Sequence, residues 1–284
     1  MRAERRARYA TALVVAVMAA IGIAPPALAQ SPGGAGDGHR QMLVRRMVLV
    51  PAGEFTMGTD RAREKPVPVA YGLQRPAYEN EEPRRRVHVD AFYVDRFEVT
   101  RIEYRQFLKA TQPNALDAKR DAELKEWSMY PVVSVTWLDA DRYCRWKGAR
   151  LPTEEEWEKA ARGTDGRRFP WGDEYGDSKT NMQQGGLAPI GSFPEDTSPY
   201  GVMDMGGSVG EWTSSWYTRY PANTAEDPDY GETLRVVRGG SWGGTGHYNV
   251  PYFGRTAYRG QSDPAQHFEN IGFRCGLSAD VAKR

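Results

Sequence analysis

Residues 131–163 read PVVSVTWLDADRYCRWKGARLPTEEEWEKAARG, and two helices are bounded inside this stretch by their own residues. Thr136, followed at the third position by Asp139, caps the first, and Gly148 supplies its stop. In the second, Thr153 caps and Glu156 answers it, so each side chain serves a backbone N–H that the first turn leaves unpaired. Trp157, Ala160 and Ala161 then form one apolar stripe, and Gly163 ends the helix. Upstream, Thr100-Arg-Ile-Glu103 repeats the signature, with Tyr104, Phe107 and Leu108 on a common face.

Working outward toward the amino end, residues 85–100 alternate through Val87, Val89, Phe92 and Val94, as strands do. His88 falls on the opposite face of that alternation and reads as an exposed strand residue. Residues 47–60, MVLVPAGEFTMGTD, alternate and break at Pro51-Ala-Gly53, predicting strand, turn and strand. The charged, proline-rich residues 61–83 predict a surface loop between them. Beyond Gly163, Gly and Pro punctuate almost every break, so the carboxyl half reads as loop-dominated. Such a half needs tryptophan packing, a disulfide or a bound cation to hold it.

The first 29 residues form a separate unit. Four arginines precede the apolar run ALVVAVMAAIGIA, and Ala27 and Ala29 stand as in a small-residue cleavage site. This predicts a secretory signal peptide over 1–29, the alternative being an uncleaved anchor. Residues 30–46 read as a polar, Gly-rich lead-in, 47–277 as one domain and 278–284 as a tail. With four arginines and one glutamate removed, 38 basic and 37 acidic residues become 34 and 36, a net charge near −2. That balance gives no reason to expect a nucleic-acid partner. No second long apolar run follows, so the mature chain is expected secreted or periplasmic with no membrane span. Cys144 and Cys275 are the two cysteines, and in an oxidising compartment they suggest a bridge, the alternative being two buried thiols. In the loop-entropy model that bridge would restrict the unfolded chain by roughly 4–5 kcal/mol.

The segments LVPAGEFTMGTD, PVVSVTWLDADRYCRWKGARLPTEEEWEKAARG, FPWGDEY, SPYGVMDMGGSVGEWTSSWY, VVRGGSWGG and NIGFRCGL run in order. Together they resemble the formylglycine-generating enzyme (sulfatase-modifying factor) family, which also contains a periplasmic pyoverdine-maturation protein. The resemblance implies a single α+β domain, loop-rich, with a C-type-lectin-like core, and it matches Cys144 and Cys275 to a bridged pair. It also implies structural Ca2+, held by the carboxylates of Glu98, Asp204 and Glu211 and the carbonyls of Gly207 and Val209. Ser208 and Gly210 depart from the family segment, which carries asparagine and tryptophan there. A second family cation site would use Asn181 and Met182, but its other half lies in an insertion that this chain lacks.

The enzymes of the family hold Cu(I) on two thiolates after a GGS segment, and soft sulfur selects that ion. Here those positions fall near Gly244 and within His247–Asn249, and neither is cysteine. The loop offers instead His247, with His267, Asp263 or Glu269 as partners for a transition metal. Trp242, Tyr248, Tyr252, Tyr258, Arg255 and Arg259 could build a groove for a peptide or a small aromatic ligand. Two functions are therefore expected in competition. One is an oxidoreductase-like modifier of a peptide or peptide-derived metabolite that forms no formylglycine through copper. The other is a non-catalytic peptide-, glycan- or protein-binding domain.

Overall fold

The computed structural model describes residues 43–60, 78–243 and 251–282. Four strands open the fold: β1 (Met47–Val50), β2 (Gly53–Met57), β3 (Arg85–Val89) and β4 (Phe92–Asp95). Helices α1 (Arg101–Thr111), α2 (Ala118–Glu126), α3 (Trp137–Lys147) and α4 (Glu154–Arg162) follow. The remaining strands are β5 (Gly210–Trp216), β6 (Arg235–Arg238), β7 (Gly260–Ser262), β8 (Ile271–Gly272) and β9 (Gly276–Ser278), and α5 (Ala279–Ala282) closes the described chain.

The three marked helices form where their caps put them. Thr100, Thr136 and Thr153 each accept from the backbone of the third helical residue, whose carboxylate reaches back to the cap. Gly148 sits at φ 85° and Gly163 at φ 72°, where a side chain would strain the backbone. Helix α2 escaped the pattern because it buries no residue and has no apolar stripe; Asp117 caps it by accepting from Arg120 N.

The strands make three small sheets, ordered β1-β4-β9, β2-β3 and β7-β6-β5-β8. All pairs are antiparallel except β5 with β8. The turn at Pro51 does not return β1 onto β2; β1 pairs with β4 and β2 with β3, so the break moves the chain between sheets. His88 lies opposite Glu54 and is exposed, as its place in the alternation requires.

The packed domain reaches beyond the expected 47–277 at both ends. Leu43 is buried against Met47 and Leu277, and Ala279 is buried with its N–H bonded to Ala91 O. The end of the predicted 61–83 surface loop is likewise internal: Tyr78 and Glu81 are buried. One core gathers Tyr104, Phe107, Tyr143, Trp212 and Phe273 around Cys144 and Cys275. These cysteines form a disulfide spanning 131 residues, as the family resemblance implies. A second core packs Trp157, Ala160 and Ala161 of α4 against Phe55, Met57, Val89 and Phe92. Among the described residues no helix is long and apolar enough to cross a membrane.

The bridge joins α3 to the carboxyl-terminal strands inside the first core. Its removal in a Cys144→Ala, Cys275→Ala variant is expected to lower unfolding stability by about 4 kcal/mol, read by denaturant titration. A loss below about 1 kcal/mol would contradict that role.

Candidate functional site

Strand β6 is buried at Val236, Val237 and Arg238, and at Gly239 the chain turns with φ 83°. Asn270 organises the segment that follows. Its amide Nδ2 donates to Ser241 Oγ at 3.3 Å and Gly243 O at 3.2 Å, while its backbone carbonyl accepts from Gly210 N at 2.9 Å. Trp242 N donates to Ser208 O at 2.9 Å, tying the turn to the 204–211 segment. Beside this junction lies a cavity of about 570 Å3 on one face of the four-stranded sheet. Gly260, Val237, Gly210 and Ile271 reach it from β7, β6, β5 and β8 in turn, and Tyr258 and Phe268 complete apolar walls. Its polar lining comprises the neutral Ser241, Gln261, Ser262 and Asn270, together with the exposed Ser134, His267 and Glu269. The size and lining suit a small molecule or a few residues of peptide.

His247 and Tyr248 lie outside the described residues. Trp242 is half-buried, and its indole N–H finds no acceptor among the described residues. Tyr252 is half-buried and its hydroxyl lies 3.3 Å from Glu81 Oε1. Arg255 and Arg259 correct the expected groove. Arg255 is 1% exposed and grips both Glu81 oxygens, at 2.7 and 2.9 Å. Arg259 is 2% exposed and meets both Glu154 oxygens, at 2.6 and 3.0 Å. Buried guanidiniums need such partners, so neither is available to a ligand. Asp263 spends its carboxylate on its own turn, accepting from Ala265 N and Gln266 Nε2. Among the described residues no three His, Cys, Asp or Glu side chains are grouped to hold a metal.

The residues expected to hold Ca2+ form a second buried constellation. Glu98 is 2% exposed; Ser208 partly stabilises its carboxylate, but among the described residues neither oxygen has a well-formed hydrogen bond. The nearest guanidinium nitrogen, Arg274 Nη2, is 3.9 Å away. Burial first, and then the charge of Asp204, push the Glu98 carboxyl well above its usual range, against which Arg274 acts only in part. Asp204, held at φ 62°, accepts from Gly191 N at 2.6 Å. Gly207 and Val209 lie between Asp204 and Glu211 and are buried with them. Glu211 departs from its expected role, because Arg274 holds both its oxygens at 2.6 and 2.7 Å and Trp157 Nε1 donates to it at 2.8 Å. A hard cation would therefore rely on Glu98, Asp204 and backbone carbonyls. Of the second expected pair, Met182 is buried with Phe253 and Tyr258 in an apolar cluster, while Asn181 donates to Gly186 O.

Sequence reasoning overlooked Asp196. Its carboxylate accepts from the N–H groups of Gly206 and Gly207 and from the Thr180 hydroxyl, at 2.9 to 3.1 Å. No motif marks it, because its partners are amides brought together only by the fold.

These features define a formylglycine-generating-enzyme-like domain of mixed α+β structure with several small sheets. Residues 35–279 match the sulfatase-modifying factor enzyme 1-like domain, and the chain belongs to that family. It is 32% identical over 292 residues to the inactive C-alpha-formylglycine-generating enzyme 2 of Mus musculus, covering 84% of this chain and 87% of that protein. To the formylglycine-generating enzyme of Streptomyces coelicolor it is 32% identical over 323 residues, covering 92% and 98%. The solved structure of PvdO from Pseudomonas aeruginosa is similar with a TM-score of 0.60 and 27% identity, over 82% of this chain and 94% of that one.

The acids give a pH signature whose sign follows from proton counting. Burial, then the charge of Asp204, raises Asp196 to about 8; burial foremost raises Asp204 to about 6. Between the unfolded-state value of 3.8 and about 8, Asp196 is more protonated in the folded chain than in the unfolded one, so its contribution to stability falls as pH rises. In chelator, Asp196→Asn is expected to gain melting temperature relative to the parent progressively as pH climbs through that window. A profile unaltered by Asp196→Asn would refute this account of the acids.

Proposed function

We propose that the protein is secreted or periplasmic and binds a peptide or peptide-derived small molecule in the cavity beside β7 and β8, without copper-dependent formylglycine formation. The observation that carries this reading is the fate of sulfur. The chain has two cysteines, and both are joined in the buried Cys144–Cys275 bridge. The residues near the copper positions are glycine and the His247–Asn249 run, so the donor set does not fit a thiolate-bound Cu(I). The cavity, by contrast, combines apolar walls with convergent neutral donors and acceptors, which suits uncharged amide-bearing ligands.

A second reading, oxidoreductase-like modification of the bound ligand, is supported by the chain's likeness to formylglycine-generating enzymes, with the electrons going to an external oxidant through a bound transition metal. Structural Ca2+ is part of both readings. The buried Glu98 carboxylate, with Asp204 beside it and Arg274 no nearer than 3.9 Å, is what supports it, since two acids in such a place must be protonated or meet a cation. Bound there, the ion would neutralise the two acids and brace the 204–211 turn against the cavity.

Purified oxidised protein, incubated with a sulfatase-type cysteine peptide and Cu(I), is expected to yield no aldehyde by mass spectrometry. Aldehyde formation would defeat the reading. Metal analysis adds a second criterion: calcium alone accords with binding, whereas stoichiometric iron or copper moves the assignment to the oxidoreductase. Added Ca2+ is expected to raise the melting temperature of the parent protein but not of Glu98→Gln, and equal gains in both would remove the cation from Glu98.

A further inference from the structure

Gly210 is a glycine that backbone geometry does not require and that no backbone atom crowds. Its φ lies outside the left-handed region, and its N–H makes an ordinary bond to Asn270 O at 2.9 Å. Elsewhere in the fold, glycine is needed. A Cβ on Gly272 would stand 2.5 Å from Val132 O, and one on Gly254 2.6 Å from Gly206 O, both immovable backbone. At Gly210 a Cβ would meet only Val237 Cγ1 at 3.0 Å, then Asn270 O and Ile271 Cγ1 at 3.7 Å. Val237, Asn270 and Ile271 all line the cavity, so a side chain at 210 would project into it. A glycine opening a strand weakens it and commonly marks a place where something else comes close.

We propose that Gly210 sets the depth of the cavity, and that the space over it receives a planar aromatic group of the ligand. This deepens the assignment of the cavity as the ligand site and rests on it. The floor at Gly210 and Gly260 presents backbone with no side chain, a flat surface that a ring can cover. Tyr258 and Phe268 stand at the walls, where ring edges and faces pair favourably with an aromatic guest. Ser241 and Asn270 border the floor, so a ring with a polar edge can be hydrogen-bonded. Among the described lining residues the acid, Glu269, is exposed, while those about Gly210 and Gly260 are uncharged, which disfavours an ionic group over that floor.

Indole is the probe, titrated into the full chain and followed by NMR chemical shifts. Binding in the millimolar range is expected, with shifts at Tyr258, Phe268 and Ile271 and at least tenfold weaker binding of cyclohexanol. Gly210→Ala, whose one tight contact is Val237 Cγ1 at 3.0 Å, is expected to lower the melting temperature by a few degrees at most and to weaken indole several-fold. Should that variant not fold, Phe268→Ala supplies the same comparison from the half-buried wall and is expected to weaken indole about fivefold. Unchanged indole affinity in whichever variant folds, equal affinity for cyclohexanol, or no indole binding overturns the inference. A panel of short peptides on the same titration separates it from the reading beneath. Peptides that shift the cavity residues whether or not they carry an aromatic side chain overturn the inference alone, and peptides that leave those residues unmoved overturn both.

Discussion

Glu158 on α4 has no exposed surface, and neither does Arg238 on β6, which donates to it at 2.6 Å. The rest of the molecule is arranged around that pair. Arg238 also reaches Glu154 and the carbonyls of Thr256 and Ala257. Glu158 takes Arg162 and the N–H of Gly58, and Glu154 takes Arg259 and the Tyr220 hydroxyl. Burial alone would raise Glu154, yet the charges of Arg259 and Arg238 more than offset it and hold the carboxyl below its usual range. One short helix thus clamps β2, β6 and the 256–259 segment, elements with little regular structure of their own. Removing a single member would strand a buried charge, a far greater cost than the pair's net contribution.

A scaffold held this way leaves its surfaces free to change chemistry. The 255–259 segment is anchored to Glu81 and Glu154. Family relatives therefore share the architecture while differing in what they do, and two proteins matching this chain at 32% identity bear the names of an active and an inactive enzyme. Function has to be read from the cavity and its donors and not from the fold.

Two of the fold's supports work through opposite uses of charge. On the α4 side every buried acid has an arginine. On the 204–211 side Arg274 is committed to Glu211 and to the carbonyls of Asp95, Arg96 and Met203, leaving Glu98 and Asp204 facing each other. The first arrangement is complete within the chain, whereas the second has a surplus of negative charge that protons or a hard cation must relieve.

What the sequence determined by itself was local. Threonine caps with their answering acids and the glycine stops fixed α1, α3 and α4, because those bonds span only three or four residues. The alternation of 85–95 showed which side of each strand is buried, and it placed His88 correctly in solvent. The bridge between Cys144 and Cys275 was legible in the cysteine count of a chain expected in an oxidising compartment and in the family resemblance, and the family in its ordered motifs. Tertiary structure decided the rest. In a sequence, Glu154 and Glu158 look like the solvent face of a helix, and Arg255 and Arg259 like free cations beside a ligand. Only the fold brings their partners to them from about 80 to 174 residues away, and so turns apparent surface charge into core.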